Sequence, residues 1–359
     1  MIRILHAADL HLDSPFAAMR PDQAAVRREE QRQVLRRLVQ ACSSLNCQIL
    51  LLAGDLFDSD RVYLQTAELL RRELASCKAP VFIAPGNHDY YGPSSPYAAE
   101  DWPDNVHIFR SRKVEAVRPE GLELTVYGAA FTGPHMPPDL AGFRAGAGPS
   151  VMVVHGEYTD GPSLYGPVSE AFAAQSALSY LALGHVHGGF VRKAGTVTIG
   201  NPGCAMGRGF DETGEKGALC VELSEEGCRV RPVSLGARQY RIYSVDVTDR
   251  EPVQAVLAAL PEQAKEEICR LVLTGTCFGV DRTALRTALE GRVYDLEITD
   301  RTLPPLELWA ELGEDSLKGA FLRRLRDIYD AAEESGKADA ALAAKLTLSL
   351  MDGREVTEE

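Results

Sequence analysis

Asp9 and His11 follow directly on the first apolar run of the chain, and Asp55 ends the second, Ile49-Leu50-Leu51-Leu52-Ala53-Gly54-Asp55. Asn87 and His88 follow the third run, and His155, His185 and His187 follow two more. Leaving His88 aside, these are two carboxylates, four imidazoles and one carboxamide, the donor types that hold first-row divalent ions. Oxygen-rich sets favour Mn²⁺ or Fe²⁺, and imidazole also admits Zn²⁺. Seven groups on two ions require a shared carboxylate, and Asp55, central in sequence and on an interior strand, is the natural bridge. Two ions about 3.5–4 Å apart bind and deprotonate a water and hold the phosphoryl oxygens of an in-line displacement, which makes phosphoester hydrolysis the expected chemistry.

Taken singly, each residue has a plainer explanation. Asp55 caps the next helix, Asp9 forms a turn, Asn87 belongs to a Gly-Asn turn, and His155 is a hydrogen-bonded core imidazole. Taken together they resist it. Five of the eight histidines (His11, His88, His155, His185, His187) fall at expected strand ends. Carboxylates and imidazoles buried on one sheet edge repel one another or stay unsatisfied without a cation. His6 lies inside the first strand and reads as packed; His107 and His135 read as loop or strand-end residues.

The elements that must position these groups follow from periodicity. A strand over Arg3 to Ala8, a helix from Asp22 to about Leu45, the Asp55 strand, a helix over Thr66 to Ala75 and a strand over Pro80 to Ala84 alternate as βαβαβ. That order implies a parallel sheet with right-handed crossovers and its strand ends on one edge. Shorter strands follow, among them Val151 to Val154 before His155 and Tyr180 to Leu183 before Gly184-His185-Val186-His187. The loops Phe131 to Ser150 and Gly156 to Pro167 flank the last two groups and are expected to wall a substrate site. Near Gly236 a small βαβαβ unit without histidine begins. After Pro304-Pro305 come two helical segments, the first with Leu317, Phe321, Leu325, Ile328 and Tyr329 in one stripe.

At 359 residues and 45% hydrophobic, the chain exceeds what one core usually serves. The expected divisions are residues 1–236, 237–303 and 304–359. No signal-like or membrane-spanning run is found, so a cytoplasmic protein with no membrane partner is expected. Eight irregularly spaced cysteines without Cys-x-x-Cys read as reduced core thiols. The net charge of −13 opposes unaided binding to a polyanion.

Asp9-x-His11, Gly54-Asp55-x-x-Asp58, Gly86-Asn87-His88-Asp89, His155 and Gly184-His185-x-His187, in that order, resemble the motif set of the calcineurin-like metallophosphoesterases. Within that superfamily, Ile4 to Leu12, Gly54-Asp55-Leu56-Phe57-Asp58, Gly184-His185-Val186-His187 and the later Asn201-Pro202-Gly203, Gly207-Arg208 and Glu212 to Gly217 resemble SbcD-type DNA repair exonucleases, closest to the YhaO branch. The resemblance implies an α/β fold with a four-layer αββα core, a small C-terminal βαβαβ capping domain and terminal helices. It implies one metal on Asp9, His11, Asp55 and His187 and the other on Asp55, Asn87, His155 and His185, with Mn²⁺ the first choice. It makes His88 the phosphate-facing catalytic residue and Asp89 the group that orients its imidazole. It further implies DNA as substrate, and an SbcC-like or YhaN-like coiled-coil ATPase docked on the C-terminal helices; a homodimer is a further expectation. Asp13-Ser14-Pro15 departs from the glycine that many SbcD relatives carry after His-Leu.

The leading expectation is a dimetal DNA phosphodiesterase, exonuclease or endonuclease, acting in DNA repair. The alternatives are a small-molecule or cyclic-nucleotide phosphodiesterase or phosphatase, and a non-catalytic metal-binding scaffold; the last is opposed by the complete ligand set.

Overall fold

The computed structural model describes residues 1–99, 101–277, 279–303, 309 and 312–351. The chain divides into two compact units, Met1–Gln239 and Tyr240–Glu359.

The first unit runs β1 (Ile2–Ala7), α1 (Pro21–Ser44), β2 (Ile49–Leu52), α2 (Leu64–Ala75), β3 (Val81–Ile83) and β4 (Val106–Ile108). It continues with β5 (Glu115–Val117), β6 (Thr125–Gly128), β7 (Ser150–Val154), β8 (Glu157–Tyr158), β9 (Pro167–Val168), α3 (Glu170–Gln175) and β10 (Tyr180–Leu183). It ends with β11 (Phe190–Ala194), β12 (Val197–Asn201), β13 (Gly217–Ser224) and β14 (Gly227–Ser234). Two six-stranded sheets result, ordered β14-β13-β1-β2-β3-β4 and β11-β12-β10-β7-β6-β5. In each the central strands are parallel, β1-β2-β3-β4 and β12-β10-β7-β6, and antiparallel partners flank them.

Period-two alternation divides each central strand between two cores. Leu50 and Leu52 pack under α1 and α2, while Ile49 and Leu51 face the second sheet. On the other side Val151, Val153, Tyr180 and Ala182 meet them, while Met152, Val154, Leu181 and Leu183 pack outward with α3. The apolar run at β2 is therefore continuous because both its faces are covered. This is the four-layer αββα arrangement, with helices outside and two sheets face to face. His6 is packed between the sheets as expected, its Nδ1 2.8 Å from the Tyr180 hydroxyl. The short strands β4, β8, β9 and β11 carry too little pattern to be read from sequence.

α1 buries Val34, Leu35, Leu38, Val39 and Cys42 at helical spacing, but the same stripe continues toward its N-terminus as Arg27 and Gln31. These two polar side chains are buried because they serve the loops above the sheet edge: Gln31 donates to the His11 carbonyl (2.8 Å) and Arg27 to that of Gly207 (2.8 Å).

The second unit carries β15 (Tyr240–Asp246), α4 (Pro252–Ala259), β16 (Ile268–Thr274), α5 (Arg282–Leu289) and β17 (Asp295–Asp300), a parallel three-stranded βαβαβ layer with its own core. The helices α6 (Leu317–Ala331) and α7 (Glu334–Met351) belong to the same unit. Pro304-Pro305, read as the start of a separate segment, lie outside the described residues. No helix among the described residues is long and apolar enough to cross a membrane.

The expected docking stripe on α6 requires correction. Leu325 and Leu322 are buried against Ala344 and Leu348 of α7, so the centre of that stripe is the helix pair's own core. Leu317 and Ile328 are exposed, and so are Leu342, Leu346 and Leu350, which recur every four residues along the outer face of α7. Leu325→Asp should therefore melt the α6–α7 pair, placing an unpaired charge at a cost of at least about 3 kcal/mol, whereas Ile328→Asp should leave it intact. Hydrogen exchange over 317–351 separates the two, and equal protection in both variants would contradict the assigned packing.

Candidate metal centre

The loops after β1, β2, β3, β7 and β10 converge at one end of the facing sheets. Asp9, His11, Asp55 and His155 are almost wholly buried there, Asn87, His185 and His187 are half-buried, and His88 is exposed. Four of the seven expected ligands sit in the left-handed region although none is glycine: Asp9 (φ 51°), His11 (φ 46°), Asp55 (φ 50°) and His185 (φ 82°). Such conformations cost about 1–3 kcal/mol each and persist only where the surroundings impose them. Two glycines provide the clearance. A Cβ on Gly54 would stand 2.6 Å from His155 Nδ1, and one on Gly86 2.1 Å from Asp55 Oδ1.

The expected ligands form two groups, Asp9-His11-His187 and Asp55-His155-His185, and a third cluster, His11-Asp58-His88, shares His11. In the first, the two Nε2 atoms lie 3.1 Å apart, and Asp9 Oδ1 lies 3.9 Å from His11 Nε2 and 3.7 Å from His187 Nε2. In the second, His155 Nε2 is 3.3 Å from Asp55 Oδ2 and 3.0 Å from Asn87 Oδ1, which also lies 3.1 Å from His185 Nδ1. Asp55 Oδ2 is in addition 4.0 Å from His11 Nε2, so one oxygen faces both groups. Its other oxygen accepts the His88 backbone N–H at 2.9 Å, which fixes that orientation.

The opposite edges of the imidazoles show what this geometry is for. His11 Nδ1 faces Asp58 Oδ1 (3.1 Å), His187 Nδ1 faces Glu212 Oε1 (2.5 Å), and His155 Nδ1 donates to the Ala53 carbonyl (2.8 Å). His155 and His187 thus direct Nδ1 outward to an acceptor and turn Nε2 inward, and His11 Nε2 faces the same way, its Nδ1 near Asp58 without a hydrogen bond. Lone pairs then face lone pairs and carboxylates, an arrangement that divalent cations satisfy. The residues present fit a pair of such ions.

Electrostatics agree. Burial, reinforced by the Asp55 charge, pushes the Asp9 carboxyl up to about 7 against the pull of His155. Burial also opposes ionisation of Asp55, but the neighbouring His155 and His11 outweigh it and hold that carboxyl below its ordinary range. Burial would neutralise His155, yet Asp55 raises it to about 9; without a cation, a proton takes the place between them. Burial and His155 lower His185 to about 4.

One expected role is corrected. Asp89 does not reach the His88 imidazole. It is buried, and its carboxylate accepts from the backbone N–H groups of Gly86 (2.7 Å), Leu56 (2.7 Å) and Asp55 (3.2 Å) and from the Tyr97 hydroxyl (2.5 Å). With the Phe57 N–H (3.3 Å) as a fifth donor, it has no capacity left for a side chain on the solvent side. The partner of His88 Nδ1 is instead the Asp58 carbonyl, at 3.0 Å. The residues that sequence reasoning left without a role are Asp58, Arg208 and Glu212; each stood inside a quoted motif, and the proximity of carboxylates to ligand imidazoles could not be read from spacing. The loops expected as walls line a cavity of about 580 Å³, with Leu140, Phe143, Thr159 and Asp160 around it; of the expected site residues, His155 alone is among its described lining.

The sequence pattern of the calcineurin-like phosphoesterases matches residues 2–189. An uncharacterized metallophosphoesterase, YhaO of Bacillus subtilis (strain 168), is 30% identical over 301 residues, 77% of this chain and 72% of that protein. Among solved structures, TT1561 of Thermus thermophilus is similar at 14% identity and TM-score 0.41, covering 64% of this chain and 98% of that one. A dimetal phosphatase from Danio rerio is similar at 11% identity and TM-score 0.45, covering 66% and 97%.

Loading the centre should displace protons. Below pH of about 9 His155 holds a proton that a cation must expel, and below about 7 Asp9 holds another, so apparent metal affinity should fall in two stages as pH is lowered. Calorimetric titration with Mn²⁺ in buffers of different ionisation enthalpy should register more protons released at pH 6.5 than at pH 9.5; pH-independent release would contradict this assignment. Asp89→Ala should abolish loading of both ions by releasing the Asp55 and Gly86 backbone, whereas removing the His88 side chain should not.

Proposed function

This chain belongs to the calcineurin-like phosphoesterase family, and within it we propose a dimetal-dependent DNA phosphodiesterase, the nuclease subunit of a DNA repair complex in the cytoplasm. The family works as metal-dependent phosphoester hydrolases with a dimetal centre. The observation that carries the proposal is the complete convergent donor set with an exposed His88 at its edge. An exposed edge suits a phosphodiester inside a polymer better than an enclosed pocket would. The bound ions supply an activated water and charge compensation for the phosphoryl oxygens. Asp9, His11, Asp55 and His187 would hold one, and Asp55, Asn87, His155 and His185 the other; Mn²⁺ is the proposed ion, with Fe²⁺ and Zn²⁺ as competitors.

His88 stabilises charge on the phosphate or protonates the leaving oxygen. The Asp58 carbonyl at its Nδ1 can only accept, so Nδ1 carries hydrogen, and in the imidazolium form the second proton, on Nε2, is the one that would go to the leaving oxygen. The cavity beside His155 favours a second reading, a small-molecule or cyclic-nucleotide phosphodiesterase, because it has room for a single nucleotide.

The proposed partner is an SbcC-like or YhaN-like coiled-coil ATPase. Support comes from Leu342, Leu346 and Leu350, exposed apolar side chains that an i, i+4, i+8 spacing puts on one helix face. A homodimer through the same face is the competing occupant, distinguished by sedimentation of the chain alone.

End-labelled linear duplex and a cyclic nucleotide, each incubated with Mn²⁺ and with EDTA, test the reading: metal-dependent cleavage of the duplex supports it, and turnover of the cyclic nucleotide alone overturns it. His88→Ala should keep both ions and lower turnover by about 10²-fold or more; near-normal turnover would remove its assigned role. Leu346→Asp should abolish co-purification with the ATPase while sparing cleavage of a short oligonucleotide.

A further inference from the structure

The Asp9-His11-His187 group is backed by charged side chains, whereas His155 of the other group rests on the neutral Ala53 carbonyl. Asp58 stands behind His11 and Glu212 behind His187. Between these carboxylates lies Arg208. Its Nη1 donates to Asp58 Oδ1 (2.9 Å), its Nη2 to Glu212 Oε1 (3.1 Å), and its backbone N–H to Glu212 Oε2 (2.7 Å). The planar fork spans both carboxylates at once. Ser14 Oγ also donates to Asp58 (3.0 Å), and the buried Arg27 holds the Gly207 carbonyl next to Arg208. Asp58 has a second task, since its backbone carbonyl faces His88 Nδ1. Both terminal nitrogens of Arg208 are engaged and its Nε is buried without a hydrogen-bond partner, so this guanidinium is not arranged to take a phosphate.

We propose that Arg208 is a positioning residue that clamps Asp58 and Glu212, holding the His11 and His187 imidazoles in register for one ion and fixing the Asp58 backbone that orients His88. One side chain then couples one metal subsite to the residue facing the phosphate. The Asp55-His155-His185 group lies outside the clamp and meets the clamped group only through the shared Asp55. Lysine cannot reproduce the clamp: an ammonium keeps the charge but lacks a rigid fork that meets two carboxylates in fixed directions. The turnover arm of this inference rests on the phosphodiesterase reading; the metal arm does not.

The test uses the full chain with Arg208→Lys and Arg208→Gln. Calorimetric titration with Mn²⁺ alone should show one of the two binding events weakened by about 10–100-fold in both variants, the loss expected when an outer partner of a metal ligand is removed. The other event should change by less than about twofold, and melting of the metal-free protein should be unaltered. With bis(4-nitrophenyl) phosphate, kcat should fall at least about tenfold while KM moves less than about twofold. Full retention of both binding events in Arg208→Lys would reduce Arg208 to a charge and overturn the proposal. Equal weakening of both events, or a lowered melting temperature in the metal-free variants, would make it a general structural residue and overturn it too. A wild-type chain that binds Mn²⁺ but hydrolyses no phosphodiester would refute the proposed function, and the titration would still decide this inference.

Discussion

The buried Asp89 carboxylate ties the loop after β2 to the loop after β3, and the rest of the centre depends on that tie. It gathers backbone N–H groups from Gly86, Asp55 and Leu56 around one acceptor and adds the Tyr97 hydroxyl from a third segment. Burial and the Asp55 charge push this carboxyl up, and the Tyr97 and Gly86 donors resist. An anion in such a place is tolerable only because its acceptor capacity is filled. The result is that Asp55 is held by its backbone before any ion is considered, with one oxygen taken by the His88 N–H and the other free toward both donor groups. The orientation that would let Asp55 bridge two ions is thus a consequence of how the backbone beneath it is held.

The same logic extends to strain. Asp9, His11, Asp55 and His185 occupy backbone conformations that their side chains disfavour, all within one cluster. Two sheets packed face to face through Ile49, Leu51, Val151, Val153 and Tyr180 provide the rigid base on which these turns are imposed. The apolar layers therefore stabilise the site from beneath, meeting it at Ala53, whose carbonyl holds His155. The buried Arg27 and Gln31 on α1 show where the apolar stripe stops serving the core and starts serving the centre.

This boundary also explains what could be read from the sequence. The long crossover helices and the apolar strand runs announce themselves because both faces of β2, β7 and β10 are covered. The seven convergent donors announce themselves because each follows such a run. β4, β8, β9 and β11 do not, being two to five residues long and half-exposed in part. The partner of His88 could not be read either: adjacency in Asn87-His88-Asp89 suggested Asp89, but neighbouring side chains leave the backbone in different directions, and Asp89 turns into the core while His88 turns to solvent. The stripe on α6 stayed open between packing within this chain and docking a partner for a related reason. Helical period identifies an apolar face, but nothing in it tells whether the face meets a neighbouring helix of the same chain or another molecule, and Leu325 meets α7.

Charge then constrains how the centre can be used. At −13 the chain repels a polyanion over a distance set by salt, and in the metal-free state the buried Asp55 and Glu212 keep their charge within the donor cluster. Two divalent ions reverse the sign locally by about four charges, far less than the whole chain carries. Attraction is therefore confined to the scissile phosphate, and neighbouring phosphates of a long substrate gain nothing from it. For the DNA substrate proposed above, binding strength would then depend on ionic strength and on what else contacts the backbone away from the centre.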